Sequence, residues 1–292
     1  MKIKSKQDKT ILVTGATGNQ GGAIINSLTA SGWSVRALVR DASRPSVEII
    51  RSKNVDIVMG DLEDRKFLDG ALQGVYGVFA VHAWMEKGVE GEVRMGSNLA
   101  DSARAAGVKH YVYSSITGAD GGAGVPVMDS KCRIEQHILT IGLPSTIFRP
   151  TFFMFNFNSP ELRSSILQGT LSLPLKPDMP LQMIAAEDLG AFVNMALEDP
   201  LHYLGRIMEL AGDELTMQEA ADVFSRALGR PVRFVQQPME QVRSSSMDLA
   251  LLYEWLNTHK INTDIKALRS LHPGLRTLEK WLRKTTGWMK AA

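Results

Sequence analysis

A doubly wound α/β fold, with a parallel sheet covered by helices on both faces and a smaller C-terminal lobe, is what this sequence predicts. Two observations carry the expectation. Before Pro150, six short β-rich runs alternate with five helix-like stretches, the pattern of βαβ units. The first of these turns is glycine-rich, and the alternation breaks down after Pro150.

The elements follow in order. Ile11–Val13 is the first apolar run. A helix reads from Gln20 to Ala30, with Ile24, Ile25 and Leu28 on one face and Gly32 past its end. Ser34–Val39 is the second strand, and Pro45 opens a helix at its first turn. Val55–Met59 is the third strand, punctuated by Gly60 and Asp61, and Arg65–Leu72 is a short helix stopped near Gly74. Gly77–Val81, Tyr111–Ser114 and Ser145–Phe148 are the next strands; helices Glu92–Ala106 and Ser130–Thr140 lie between them.

Beyond Arg149-Pro150 the stretch Phe152–Phe157 is aromatic. Gln182–Ala185 reads as a strand and Glu187–Leu197 as a helix returning to the sheet. A strand at Ile207–Ala211 and helices at Met217–Leu228, Met247–Asn257 and Leu275–Thr286 complete the lobe. The expected division is residues 1–155, with 182–198 returning, against 156–292.

Composition excludes several classes. Of 292 residues, 33 are Lys or Arg and 31 Asp or Glu, a net charge of +2, too small to argue for nucleic acid or an acidic membrane. Cys132 is the one cysteine, so no intramolecular disulfide framework exists and a reducing, cytoplasmic setting is expected. HExxH and CxxC spacings are absent, so no metal is expected. No apolar run reaches the length of a membrane span. Lys2, Lys4, Lys6 and Lys9 make a basic start without an apolar stretch after it, which reads as a solvated tail rather than a signal peptide.

The strongest motif is Val13-Thr14-Gly15-Ala16-Thr17-Gly18-Asn19-Gln20-Gly21-Gly22, between the first strand and the first helix. Its glycines are spaced G-x-x-G-x-x-G. Gly15 permits a tight turn, Gly18 a close backbone approach to a pyrophosphate, and Gly21 close packing of helix on strand. The helix N-terminus adds free N–H groups and a positive dipole. Thr17, Asn19 and Gln20 share this turn. The expected ligand is therefore a dinucleotide.

Arg40 and Arg44 then argue for NADP(H), because a guanidinium holds a 2′-phosphate bidentately. Asp41 is the rival: pointing inward it would hold a ribose 2′-hydroxyl and favour NAD(H). Asp61 and Leu62, after the third strand, are placed to meet adenine, and Asp61 equally to cap the next helix.

Together the segments GATGNQGG, LVRD, GDLED, YVYSS, FRPTFFMFN, IAAEDLG and ELAGDELTMQEAADVFSRALGRPV resemble the NmrA-like family of atypical short-chain dehydrogenase/reductases. The resemblance runs from about Thr10 to the last helices. It implies a Rossmann-like sheet, NAD(P) binding, and a C-terminal lobe for substrate or partner. It also implies two functional classes, redox-sensing regulators without turnover and NADPH-dependent reductases, quinone reductases among them.

The superfamily's proton donor is the Tyr of Y-x-x-x-K. Lys131 matches the Lys, which holds the nicotinamide ribose, but Val127 stands at the Tyr position. Ile116 stands where the superfamily's Ser is expected, with Ser114, Ser115 and Thr117 nearby. Other proton carriers are Lys131 itself and His82, which follows the fourth strand at its carboxyl end. Val81 adjoins it, and Trp84 and Met85 either wall the nicotinamide pocket or cover the core. Backbone groups at Pro150 and Phe152 are placed to hold the carboxamide. Phe152, Phe153 and Phe155 serve either an apolar substrate or plain packing, and Asn156 either orients substrate or caps a helix. Cys132 reads as a packing residue and Arg149 as structural. The expected activity is NADPH-dependent reduction of a conjugated acceptor, a small apolar or aromatic quinone or enone. The alternative is a non-catalytic sensor acting through a protein partner, without direct contact to nucleic acid.

Overall fold

The computed structural model describes residues 5–288, apart from the Glu86 side chain. The chain divides into two compact units: Met1–Gly122 with Met128–Arg149 and Leu189–Met208, and Ala123–Val127 with Pro150–Asp188 and Glu209–Ala292. The strands and helices of the first, in order, are β1 (Thr10–Val13), α1 (Asn19–Ala30), β2 (Ser34–Val39), α2 (Pro45–Arg51), β3 (Asp56–Met59), α3 (Arg65–Ala71), β4 (Val75–Ala80), α4 (Trp84–Ala105), β5 (His110–Ser114), α5 (Pro126–Thr140) and β6 (Ser145–Pro150). There follow β7 (Phe152–Phe153), α6 (Pro160–Leu167), β8 (Thr170–Leu173), β9 (Leu181–Ile184), α7 (Ala186–Glu198), α8 (Pro200–Tyr203), β10 (Ile207–Leu210), β11 (Asp213–Leu215), α9 (Met217–Leu228), β12 (Arg233–Gln236), α10 (Met239–Ser245), α11 (Met247–Leu256), α12 (Ile265–Leu271) and α13 (Leu278–Lys284).

The first unit is built on a seven-stranded sheet, order β10-β6-β5-β4-β1-β2-β3, whose pairings from β3 to β6 are parallel. Ile11, Leu12 and Val13 are fully buried, as a central strand covered on both faces requires. Strand order reverses between β1 and β4, and ligands bind at the carboxyl ends beside such a switch point. Tyr111, Ile147, Leu99 and Ile134 are among the residues that fill the core between sheet and helices.

The second unit carries a three-stranded sheet, β11-β9-β7, and the pair β12-β8. Its core gathers Met154, Phe157, Phe224, Trp281 and Trp288. Helix α9 is delimited as its sequence dictates. Thr216 and Glu219 form a capping box, and Gly229 ends it with φ +64°.

The boundary differs from the sequence expectation. Gln182–Ile184 does not return to the large sheet: β9 pairs with β7 and β11. The return begins at Leu189. There Gly190 faces α1, where a Cβ would lie 3.1 Å from the Ala23 carbonyl oxygen, and its carbonyl accepts from Ser27 Oγ at 2.9 Å. Helix α4 starts eight residues before the expected Glu92, across a kink at Gly88 (φ 69°). Lys6 pairs with Glu198 and Lys9 Nζ sits 4.4 Å from the Tyr76 ring centre, so this stretch is tethered rather than merely solvated. Lys2 and Lys4 lie outside the described residues.

Candidate functional site: a glycine-cradled groove at the sheet's carboxyl edge

The turn after β1 is fastened before it reaches its glycines. Thr14 donates its N–H to the Phe79 carbonyl at 3.0 Å. Its Oγ1 donates to the Val81 carbonyl at 3.0 Å and accepts from Val81 N at 2.9 Å. This latch joins the end of β1 to the end of β4. Gly15 then takes φ +60°, and a Cβ there would lie 2.6 Å from Val81 Cγ1. A Cβ on Gly21 would lie 2.2 Å from the Gly15 carbonyl oxygen. Both positions therefore demand glycine on separate grounds, a left-handed turn and a close approach. Gly18 caps α1 with no side-chain hydrogen bond, so first-turn N–H groups face an anion site with the helix dipole behind them.

A groove of about 350 Å³ opens on this turn. It is lined by Gly15, Thr17 and Gly18, by Arg40, Arg44, Asp61 and Leu62, and by Val81 and His82. Ala16, Leu38, Val39, Ala83, Lys87 and Met95 also line it, and sequence reasoning missed them. Lys87 reaches the groove from the turn before the Gly88 kink and pairs with Glu63 at 3.2 Å; no motif announces it.

The remaining predicted residues lie elsewhere. Gly21 packs beneath the turn, and Gln20 Oε1 accepts from Ser114 Oγ at 2.7 Å. Asn19 is exposed on the first turn of α1, and Ser115 is buried at the end of β5 without a side-chain partner. Pro150 closes β6, and Phe152 belongs to the second unit, 5.4 Å from Phe157 between ring centres. Phe153 and Phe155 stack at 4.7 Å in the same unit.

Three local details decide between earlier alternatives. Asp41 Oδ1 accepts from Ser43 N at 2.9 Å and Ser43 Oγ at 2.6 Å. Those bonds, and then Arg44, hold its carboxyl below the usual range. Its charge is committed to its own turn, though it borders a small recess with Arg40 and Arg44. The cap of α3 is Asp64, which accepts from Phe67 N, not Asp61, which accepts from Glu63 N at 3.0 Å. Val127 is buried in the first turn of α5.

His82 is buried, and neither ring nitrogen has a hydrogen-bond partner among the described residues. Burial, and then the Lys131 charge, lower its pKa to about 3, so the ring is neutral at physiological pH. Lys131, also buried, donates to Glu92 Oε1 at 2.8 Å, while Ser130 Oγ donates to Glu92 Oε2 at 2.6 Å. Its ammonium lies 5.8 Å from the Tyr113 ring centre. Glu92 is fully buried, and nothing in its sequence neighbourhood distinguishes it from the exposed Glu90.

The residues fit a dinucleotide: an N–H-rich cradle that only glycine permits, guanidinium groups on the same groove, and an orphaned imidazole that also lines it. Among the described residues no group of His, Cys, Asp and Glu could hold a metal ion, and no helix is long and apolar enough to cross a membrane.

Sheet order and cradle together define a Rossmann-like α/β protein. The chain belongs to the NmrA-like family, whose model matches residues 7–282. It is 31% identical over 270 residues to the nitrogen metabolite repression protein nmr of Neurospora crassa, covering 80% of this chain and 55% of that one. The chain thus spans about half the length of that relative. It is 30% identical over 243 residues to an NAD(P)H azoreductase of Xenophilus azovorans, covering 82% of each. A crystal structure of Nmra, a negative transcriptional regulator, in complex with NAD superposes with TM-score 0.79 at 25% identity, covering 96% of this chain and 95% of that one. The complex of Nmra with NADP gives 0.78, with the same identity and coverage.

Proposed function

We propose that this chain binds NADP(H) in the groove and uses it to reduce a conjugated acceptor such as a quinone or an enone. The observation that carries the reading is the joint presence of the glycine cradle and the Arg40 and Arg44 guanidinium groups on one groove. In this reading Gly15–Gly18 and the first turn of α1, with Asn19 and Gln20, hold the pyrophosphate. Arg40 and Arg44 hold the 2′-phosphate, and Asp61 and Leu62 border the adenine. Val81, His82, Ser114, Ser115 and Lys131 serve the nicotinamide half. The bound cofactor supplies the hydride.

The chain's own proton donors restrict the acceptor. Val127 has no proton to give. His82 is neutral, and Lys131 is committed to Glu92. An isolated carbonyl needs a proton as its oxygen becomes anionic, whereas a quinone or enone spreads that charge over its conjugated system and takes its proton from water. The test is NADPH oxidation with simple quinones and enones. Turnover that Arg40→Asp weakens supports the reading, and no turnover with any acceptor, NADPH binding being intact, refutes the enzymatic half.

The missing donor equally favours a second reading, a regulator that senses the cofactor and acts through a protein partner. The similarity to the Neurospora protein supports it. Cofactor-dependent capture of a partner, without turnover, separates it from the first.

A further inference from the structure

The Lys131–Glu92 pair is more than the ribose contact that the resemblance to the family implies. Glu92, on α4, is fully buried in the low dielectric of the core and fully engaged: one oxygen takes Lys131 and the other Ser130. The other groups that face this pair are His82 from the end of β4 and Tyr113 from β5. Glu135, one turn on along α5, is occupied by Arg149 of β6, at 3.0 and 2.7 Å. The pair therefore carries a balanced charge next to the nicotinamide end of the groove. The Lys131 charge is felt at His82, which lines that end.

Nicotinamide is a cation when oxidised and neutral when reduced. An unbalanced ammonium nearby would repel only the oxidised form. We propose that Glu92 is a specificity-determining, positioning residue: by cancelling the Lys131 charge it sets the relative affinity of the site for oxidised and reduced cofactor. This rests on the NADP(H) reading given above. Ligands that bind both states alike shift nothing, so this balance decides whether the protein can report redox state at all.

The experiment is calorimetric titration of the full chain with NADP⁺ and with NADPH, from about pH 6 to about pH 9. The 2′-phosphate titrates in both forms and cancels in the ratio of affinities. Wild type sets the reference ratio. Glu92→Gln shifts the ratio about tenfold toward NADPH, the size of a unit-charge interaction across about 12 Å at an effective dielectric of about 20. Lys131→Met moves the ratio the other way at high pH, and the double variant returns it to the wild-type value. Because a buried charge left unpaired destabilises, one single variant can unfold; the ratio in the other single variant then decides the test. Equal weakening of both forms in every variant, with an unchanged ratio, overturns the proposal and leaves the pair a structural one. Failure of wild type to bind either form removes the NADP(H) reading itself, which is a different result.

Discussion

At Arg40 the choice between the two dinucleotides rests on one side chain. Asp41 spends its carboxylate on Ser43 and Arg44 rather than turning it to a ribose 2′-hydroxyl, and Arg40 and Arg44 both line the groove. Arg40→Asp is expected to weaken NADPH binding by one to two orders of magnitude, roughly 1.4–2.8 kcal/mol, with little change for NADH; equal losses would reverse the assignment. His82 gives a second residue-level prediction. Its folded pKa of about 3 lies below the ordinary histidine value of 6.5, so below about pH 6.5 the unfolded chain binds the proton that the folded one refuses. Stability is fully present above that pH and falls as pH drops toward 3. His110, lowered by burial to about 4, acts in the same direction. His82→Gln should abolish about 2 kcal/mol of the stability lost between pH 7 and pH 5, as denaturant unfolding at the two pH values would measure.

At the scale of elements, the latch and the buried ion pairs hold the framework. Arg149 of β6 holds Glu135 of α5 with two bonds and the Ala119 carbonyl with a third, at 2.9 Å. Arg149→Met would strand a carboxylate that is 3% exposed, and about 3–5 kcal/mol of stability should go with it in chemical denaturation. A loss under 1 kcal/mol would mean that Glu135 finds another partner or takes up a proton. Gly21→Ala should be comparably damaging to the cradle, since its Cβ would meet backbone at 2.2 Å and not a side chain that can move. Both NADPH affinity and melting temperature should fall.

These elements also show what the sequence makes legible. The G-x-x-G-x-x-G turn announces itself because each glycine answers a local demand of backbone geometry. Strands β1 to β6 are legible because a doubly covered sheet writes continuous apolar runs. The start of α4 is not: Gly88 reads as a stop, yet helix resumes on both sides of it, and this brings Lys87 to the groove. Glu92 is not legible either, because its burial is decided by α5 packing on α4, with Ser130 and Lys131 38 and 39 residues away in sequence. In the second unit β7, β8 and β12 have two to four residues each. Such short strands carry too little periodicity to distinguish them from loops, and pairing partners alone make them strands.

For the whole molecule, the groove on the seven-stranded sheet is proposed to bind NADP(H), whatever the chain then does with it. Enzyme and sensor share that step and diverge only after it. Ligand saturation should stabilise the fold by mass action, about 2.7 kcal/mol at a hundredfold excess over Kd, and protect the turn after β1 from hydrogen exchange. The most direct measurement is calorimetric titration of the purified wild-type chain with NADP⁺, NADPH, NAD⁺ and NADH under one set of conditions. The prediction is saturable one-to-one binding of the phosphorylated forms, at least tenfold tighter than the unphosphorylated ones. Binding of none of the four would contradict the account, and preference for NAD⁺ and NADH would contradict the role given to Arg40 and Arg44.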